Sequence, residues 1–423
     1  MKNFPMSIDI LYLTILFCFL VTFAGERKIY APGCIFNLVF LGTIILYQLE
    51  LSLLQQSLSD STVLILFLCV ISYNIAVILC TFFLQKKAAL SRFPVSNFQE
   101  SNEFRLRVAR YIVLIVFFVE VVYSGGVPLV WLIQGNPKTY FNFGIPSVHG
   151  AFNGLVICMG AYYLFHGSKR KESLLYISIG FLIISRQVLM SIFVEGVVFY
   201  FLAKKNAVTM AQVKSHHFAV FFMIIFLGFG AVGNFRSGSN TMERLFYAKN
   251  EVGYLPDFIK WIYSYMTFSL NNFNNLVSMT EGGINRGASM LSSLLPTVFG
   301  SAFDLQLSFN RNFLVDINFN VSTYLPPIYL DFGLSGIVMF NVAIGILGCL
   351  LYRKTKMTNV SSYLMYTVYV QNIVFLFFVN MFIFLPIIIQ WFYIPLIWGG
   401  KMKKPNSNLD LKGVKKECYA RAR

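Results

Sequence analysis

Seven apolar stretches recur along the chain: Met6 to Phe23, Cys34 to Leu54, Thr62 to Leu84, Val108 to Ser124, Val148 to Phe165, Phe218 to Val232 and Leu334 to Tyr352. Crossing about 30 Å of hydrocarbon takes about 20 mostly apolar residues, and fewer where the helix is broken or shielded by protein. Helices that are apolar on every face cannot all hide in one water-soluble core, so the pattern demands a bilayer. Composition agrees: 12% of residues are charged and 57% hydrophobic, with mean hydropathy +0.66. Soluble domains carry about 25% charged residues. An ordinary soluble enzyme is excluded.

Two longer stretches, Leu174 to Ala203 and Tyr363 to Trp398, exceed one untilted span. Lys and Arg gather on the cytoplasmic side of membrane proteins, so the flanking charges give the number of crossings. Lys169, Arg170 and Lys171 precede the first stretch, and Lys204, Lys205 and Lys214 follow it. Arg353, Lys354 and Lys356 precede the second, and Lys401, Lys403 and Lys404 follow it. Each stretch is therefore expected to be a hairpin of two short helices. The first would turn at Ser185-Arg186-Gln187 and the second near Asn380.

The expected fold class is an all-α polytopic membrane protein with about 11 spans (10 to 12), amino terminus outside and carboxyl terminus inside. Residues 1–232 form the N-terminal part of the bundle, with the hairpin helices at 174–185 and 188–203. Residues 233–326 form one large outer loop with short amphipathic helices. Residues 327–400 complete the bundle, with helices at 334–352, 363–379 and 381–398, and residues 401–423 are a basic cytoplasmic tail. The first span lacks a small-residue cleavage site behind a short apolar core and is expected to be retained. The net charge of +16, from 34 Lys and Arg against 18 Asp and Glu, then records topology, and no nucleic-acid partner is needed to explain it. The seven cysteines are scattered without a CxxC pair, so no disulfide framework is expected.

A loop the size of 233–326 is usually functional. It opens with Gly-Asn-Phe-Arg-Ser-Gly (Gly233 to Gly238), whose glycines permit tight turns beside the guanidinium of Arg236. That combination suits a phosphate, and a helix-terminating arginine accounts for it equally well. From Pro256, apolar and aromatic positions Phe258, Trp261, Ile262, Tyr265 and Met266 recur at helical spacing, as in a helix lying on headgroups or packed on the rest of the loop. Asn271, Asn272, Asn274 and Asn275, with Asn285, Arg286, Asn310, Arg311 and Asn312, supply groups suited to sugar hydroxyls or simply to turns. The loop ends at Asn320 to Gly336, with Tyr324 inside it and Asp331 at the membrane boundary, placed to pair with Arg236 or Arg186 or to cap a helix. Asp9, Glu50, Glu120 and Glu195 fall in or beside spans, where ionisable groups are functional candidates. No Walker sequence, GxGxxG, HExxH or metal-spaced Cys/His cluster occurs, and the outer loop contains no histidine, although His149 could approach its mouth.

The hairpin at Ser185-Arg186-Gln187, the GNFRSG after a span and the STYLPPIYLDFGLSG re-entering the membrane resemble the oligosaccharide repeat-unit polymerases, the O-antigen or capsule polymerases of the Wzy type. The resemblance covers most of the chain in architecture but only these short segments in motif. It implies a metal-independent, cofactor-free glycosyltransferase of the bacterial inner membrane, active on the outer face. Such an enzyme moves a growing glycan from undecaprenyl diphosphate to the non-reducing end of a new lipid-linked repeat unit. It implies that Arg236 and Arg186 hold the departing diphosphate and that Asp331 or another outer carboxylate activates the acceptor. Arg311, Arg286, Tyr324, Asn234 and Glu195 would contact substrate. A chain-length regulator and a flippase are the implied protein partners. The related O-antigen ligases place a functional histidine in the large loop, which this chain lacks. A transporter or flippase of lipid-linked glycans is the rival reading, but such proteins usually carry internal repeats, and none is evident.

Overall fold

The computed structural model describes residues 7–88, 103–166, 169–204, 223, 230, 242, 245–246, 255–294, 311–316, 319–357 and 359–399. The expected span 218–232, the GNFRSG motif with Asn234 and Arg236, the Arg311 side chain and the tail 401–423 lie outside the described residues, a few single positions apart. The described structure is helical, without a β-strand. Its elements in chain order are α1 (Ile8–Glu26), α2 (Pro32–Gln48), α3 (Asp60–Ala88), α4 (Glu103–Ser124), α5 (Pro128–Ile133), α6 (Val148–Leu164), α7 (Arg170–Leu182) and α8 (Arg186–Ala203). They continue with α9 (Asp257–Met279), α10 (Ala288–Leu294), α11 (Leu325–Lys354), α12 (Val360–Val374), α13 (Leu385–Ile388) and α14 (Gln390–Trp398).

Five helical segments among the described residues are long and apolar enough to cross a membrane: Ile8–Glu26, Asp60–Leu84, Glu103–Ile133, Arg186–Ala203 and Leu325–Lys354. Their outward faces carry large apolar side chains such as Leu13, Phe17, Ile115, Phe118 and Met339, each more than half exposed. An exterior of that kind is stable against lipid and not against water. The protein is a helical membrane protein.

Hydrocarbon tails remove the hydrophobic driving force between helices, so close packing and interhelical hydrogen bonds hold the bundle. α11 lies along α3, where a Cβ on Gly345 would stand 3.0 Å from the Tyr73 carbonyl. Asn37 of α2 and Asn74 of α3 exchange amide bonds at 2.8 and 2.9 Å in the fully buried interior. The Tyr73 hydroxyl donates to the Pro32 carbonyl at 3.1 Å and shares a 2.7 Å bond with the Tyr369 hydroxyl of α12. Each such pair contributes about 0.6–2 kcal/mol in a membrane interior.

Each of the two long stretches is interrupted, though not at the expected residues: Arg186 and Gln187 belong to α8, and the helix expected at 381–398 is broken into short pieces. α7 ends at Leu182 and α8 begins at Arg186. α12 ends at Val374, and residues 375–389 form only a 3₁₀ turn and the short α13 before α14 begins at Gln390. The helix expected from Leu334 starts earlier, at Leu325, and is interrupted at Gly333 (φ 60°, ψ −150°). The expected run to Leu54 stops as helix at Gln48.

Contacts define two ends of the bundle. At one, Arg105 donates to the Leu396 and Gly399 carbonyls, Lys169 meets Glu103, and Tyr30 packs on Tyr352. This end collects Arg27, Lys28, Arg107, Lys204, Arg353 and Lys356 and is the basic end. The opposite, loop end carries the α2–α3 and α4–α6 connections, the α7–α8 turn, and the folded part of the large loop.

Candidate functional site

At the loop end the α7–α8 turn forms by a six-residue cap. Ile184 N-H donates to the Phe181 carbonyl and Ser185 N-H to the Gly180 carbonyl, both at 3.0 Å, closing α7 in a Schellman arrangement. The left-handed position falls to Ile184 (φ 53°), where a β-branched residue is strained. Ser185 then caps α8, accepting from Val188 N-H at 3.3 Å. Arg186 is the first residue of α8, the end at which the helix macrodipole is positive, so dipole and guanidinium act in the same place.

Across from this turn, Lys138 sits on the connection after α5. The Asn136 side chain accepts from Lys138 N-H at 2.9 Å, and Thr139 with Asn142 forms a reciprocal cap one residue on. The Lys138 ammonium donates to the Ser124 carbonyl at 3.1 Å and lies 5.3 Å from the centre of the Trp131 ring. Its position is therefore built by the loop.

Arg186 and Lys138 both line one cavity of about 840 Å³. Most of the remaining wall is apolar: Leu132, Met190, Phe193 and Val194, then Ile262 and Met266 of α9, and Val374, Phe375, Phe377, Phe378, Val379 and Met381 at and beyond the end of α12. Tyr265 of α9 stacks on Phe378 at 5.3 Å and 3°. The chamber therefore has cations on a mainly hydrocarbon wall, the complement of an amphiphile with an anionic head.

The remaining expected residues fall elsewhere. Asp331 is buried, its two oxygens accepting from the backbone N-H groups of Ser289 and Met290 at 2.9 and 2.8 Å. It caps the start of α10 from across the loop, and no ion pair joins it to Arg186. Tyr324 is buried, donating to Asn341 at 2.8 Å, and it does not line the cavity. Arg286 is exposed, in the left-handed region at φ 47°. Glu195 is fully buried among α6, α8 and α14, beside Cys158 and the Gln390 amide, away from the cavity wall.

The asparagines, suited by sequence to sugar hydroxyls or to turns, bond to backbone: Asn271 and Asn274 tie α9 to the α2–α3 connection, and Asn272 and Asn275 tie it to Phe313, Val315, Phe319 and Val321. Asn271 donates to the Leu54 carbonyl at 2.7 Å and accepts from Tyr47 at 3.0 Å. Asn272 donates to the Phe319 and Val321 carbonyls and accepts from Val315 N-H. Asn274 binds Ser59 N-H and the Ser57 carbonyl, and Asn275 donates to the Phe313 carbonyl. The aromatic face of α9 is likewise packed inward: Trp261 is fully buried against Phe319, rather than lying on headgroups. Tyr263, whose phenol burial pushes up, donates to Gln55 at 2.6 Å and accepts from Leu51 N-H at 2.9 Å.

Two features escaped the sequence reading. Lys138 was legible only as a basic residue on the side that should be poor in them. His149 does not reach the cavity wall. Its Nδ1 lies 2.8 Å from the fully buried Glu120 carboxylate, and its Nε2 lies 3.0 Å from the Asn153 amide one turn on. Only the fold brings α4 and α6 together to make that pair. Among the described residues no group of three or more His, Cys, Asp or Glu could hold a metal ion. Compared with protein-family models, curated proteins and solved structures, the chain matches none.

Proposed function

We propose that the chain is a polymerase of bacterial surface polysaccharide, acting at the outer face of the inner membrane on lipid-diphosphate-linked glycans. The observation that carries this reading is the cavity in which Arg186 and Lys138 stand on a largely apolar wall. Outside the cytoplasm a glycosyl donor must carry its own activation, and a lipid diphosphate does so. Its prenyl tail suits the apolar wall, and its diphosphate suits the two cations. In the reaction a hydroxyl oxygen at the non-reducing end of the incoming repeat unit attacks the anomeric carbon of the growing chain. The carbon–oxygen bond to diphosphate breaks, the hydroxyl proton passes to a base, and the leaving diphosphate keeps the electron pair. Preorganised cations in a low-dielectric chamber stabilise that developing charge. Arg186 and Lys138 take this role; Arg236, to which the resemblance gives the same role, lies outside the described residues. With both oxygens of Asp331 engaged by backbone N-H groups, we assign it to holding the loop. A chain-length regulator and a flippase would be its partners in the membrane.

The rival reading, a transporter or flippase, draws on Glu195, a carboxyl group fully buried inside the bundle beside the Gln390 amide. One assay separates them. Purified protein in vesicles, given a lipid-linked repeat unit without nucleotide, is expected to yield a glycan ladder on a gel. Arg186→Ala is expected to lose the ladder at an unchanged melting temperature. Scrambling of substrate between leaflets with no ladder would overturn the proposal in favour of transport.

A further inference from the structure

A second cavity, of about 290 Å³, opens at the basic end between α1, α3 and α11. It is at the small end of ligand sites, which run about 300–1,000 Å³. Its charged lining consists of Glu26, Arg353 and Lys356. Lys356 lies 6.0 Å from the centre of the Tyr352 ring. No ion pair within 4.0 Å joins Glu26 to Arg353 or Lys356, although all three face one small space. Opposite charges that share a cavity without neutralising each other leave two poles of opposite sign. The same cavity is walled by Ile78 and Phe82 of α3, 40% and 52% exposed on the apolar outside of the bundle. It therefore adjoins the lipid on its apolar side and carries charge where headgroups lie. Arg353, in the last turn of α11, also faces the negative end of that helix's macrodipole, which accounts for a basic residue there. It does not account for the carboxylate opposite.

We propose that this cavity binds the headgroup of phosphatidylethanolamine from the leaflet at the basic end. Arg353 and Lys356 would hold the phosphate, and Glu26 would accept hydrogen bonds from the primary ammonium. An anionic headgroup without an ammonium would leave Glu26 unanswered and facing like charge. A choline headgroup would bring a cation that has no N-H to donate. The occupant is thus defined by three properties together: a phosphate, a donating ammonium and acyl chains that remain outside the cavity. The site is independent of the glycan chemistry at the other end and stands or falls apart from it.

The test uses the full chain in detergent, titrated with phosphatidylethanolamine, its N-methylated series to phosphatidylcholine, and phosphatidylglycerol. Retained lipid is counted by native mass spectrometry and stabilisation is read by thermal unfolding. For the wild-type protein, ethanolamine is expected to bind about tenfold more tightly than choline, the weight of a charge-assisted hydrogen bond. Glu26→Gln is expected to remove that preference, and Arg353→Gln to weaken both lipids. Equal affinity of the wild-type protein for ethanolamine and choline headgroups would overturn the proposal. So would tighter binding of phosphatidylglycerol, or no specific retention at all. The methylation series needs no variant, so the outcome does not depend on whether a substituted chain folds.

Discussion

Asp331 and the Glu120–His149 pair show how differently two buried carboxylates can be occupied. Asp331 answers two backbone donors at the start of α10, so its loss leaves both without an acceptor. Asp331→Ala is expected to destabilise the protein by about 1–3 kcal/mol, measured by thermal unfolding in detergent. If the residue were instead the acceptor base, Asp331→Asn would abolish the ladder at an unchanged melting temperature. Glu120 is different because its partner is a side chain that is itself part-exposed. Removing His149 leaves the fully buried Glu120 carboxyl without its hydrogen-bond partner, a loss of about 1–3 kcal/mol for a buried polar group. His149→Phe is therefore expected to be destabilising, and His149→Phe with Glu120→Gln to recover a large part of the loss. Additive losses in that double-variant cycle would show that the two residues are not coupled.

Among the elements, the kink in α11 and the amides of α9 explain how residues 255–294 are tied to the membrane helices. At Gly333 the helix leaves its ladder, which frees the Tyr329 and Leu330 carbonyls. Gly283 and Asn285 of the loop donate to them, each at 2.9 Å. Backbone at φ 60° and ψ −150° is open in practice only to glycine, and a Cβ at neighbouring Gly282 would come within 2.7 Å of the Gly333 Cα. Gly333→Ala is expected to cost about 1–3 kcal/mol and to raise hydrogen exchange at Gly283 and Asn285 first. Unaltered exchange there would show that the kink does not hold the loop. Asn272 is the element-scale counterpart in α9, since one amide satisfies three backbone groups. Asn272→Ala is expected to destabilise by more than about 2 kcal/mol, because each orphaned group adds its own cost. Asn275→Ala, which removes one bond at 3.1 Å, should cost less.

For the molecule as a whole, the separation of the basic end from the end that holds the 840 Å³ cavity predicts sidedness. In a background lacking the seven native cysteines, a cysteine at Asn136 should react with an impermeant reagent added outside whole cells. One at Lys356 should react only after permeabilisation. Reversed accessibility would invert the orientation and place the cavity in the cytoplasm.

The helical, membrane-spanning class was legible in the order of residues. A bilayer demands long apolar segments, and the polar run Ser185-Arg186-Gln187 marks the interruption of one, at the start of α8. The fate of the polar residues was not. Asn271, Asn272 and Asn274 read equally as hydroxyl-binding groups or as turn residues, because a side-chain amide offers the same donor and acceptor to a sugar and to a peptide; only the approach of Leu54, Ser57, Ser59, Val315, Phe319 and Val321 decided which. Lys138 carries one charge in the sequence and becomes part of a chamber through the α7–α8 turn opposite it. Local hydropathy and charge act within a helix length, so the chain by itself determined that it is a helical membrane protein. The cavity joins residues hundreds of positions apart, and the buried carboxylates Asp331 and Glu120 meet partners 42 and 29 positions away. They were decided by helix packing, which places unrelated polar groups within hydrogen-bond reach.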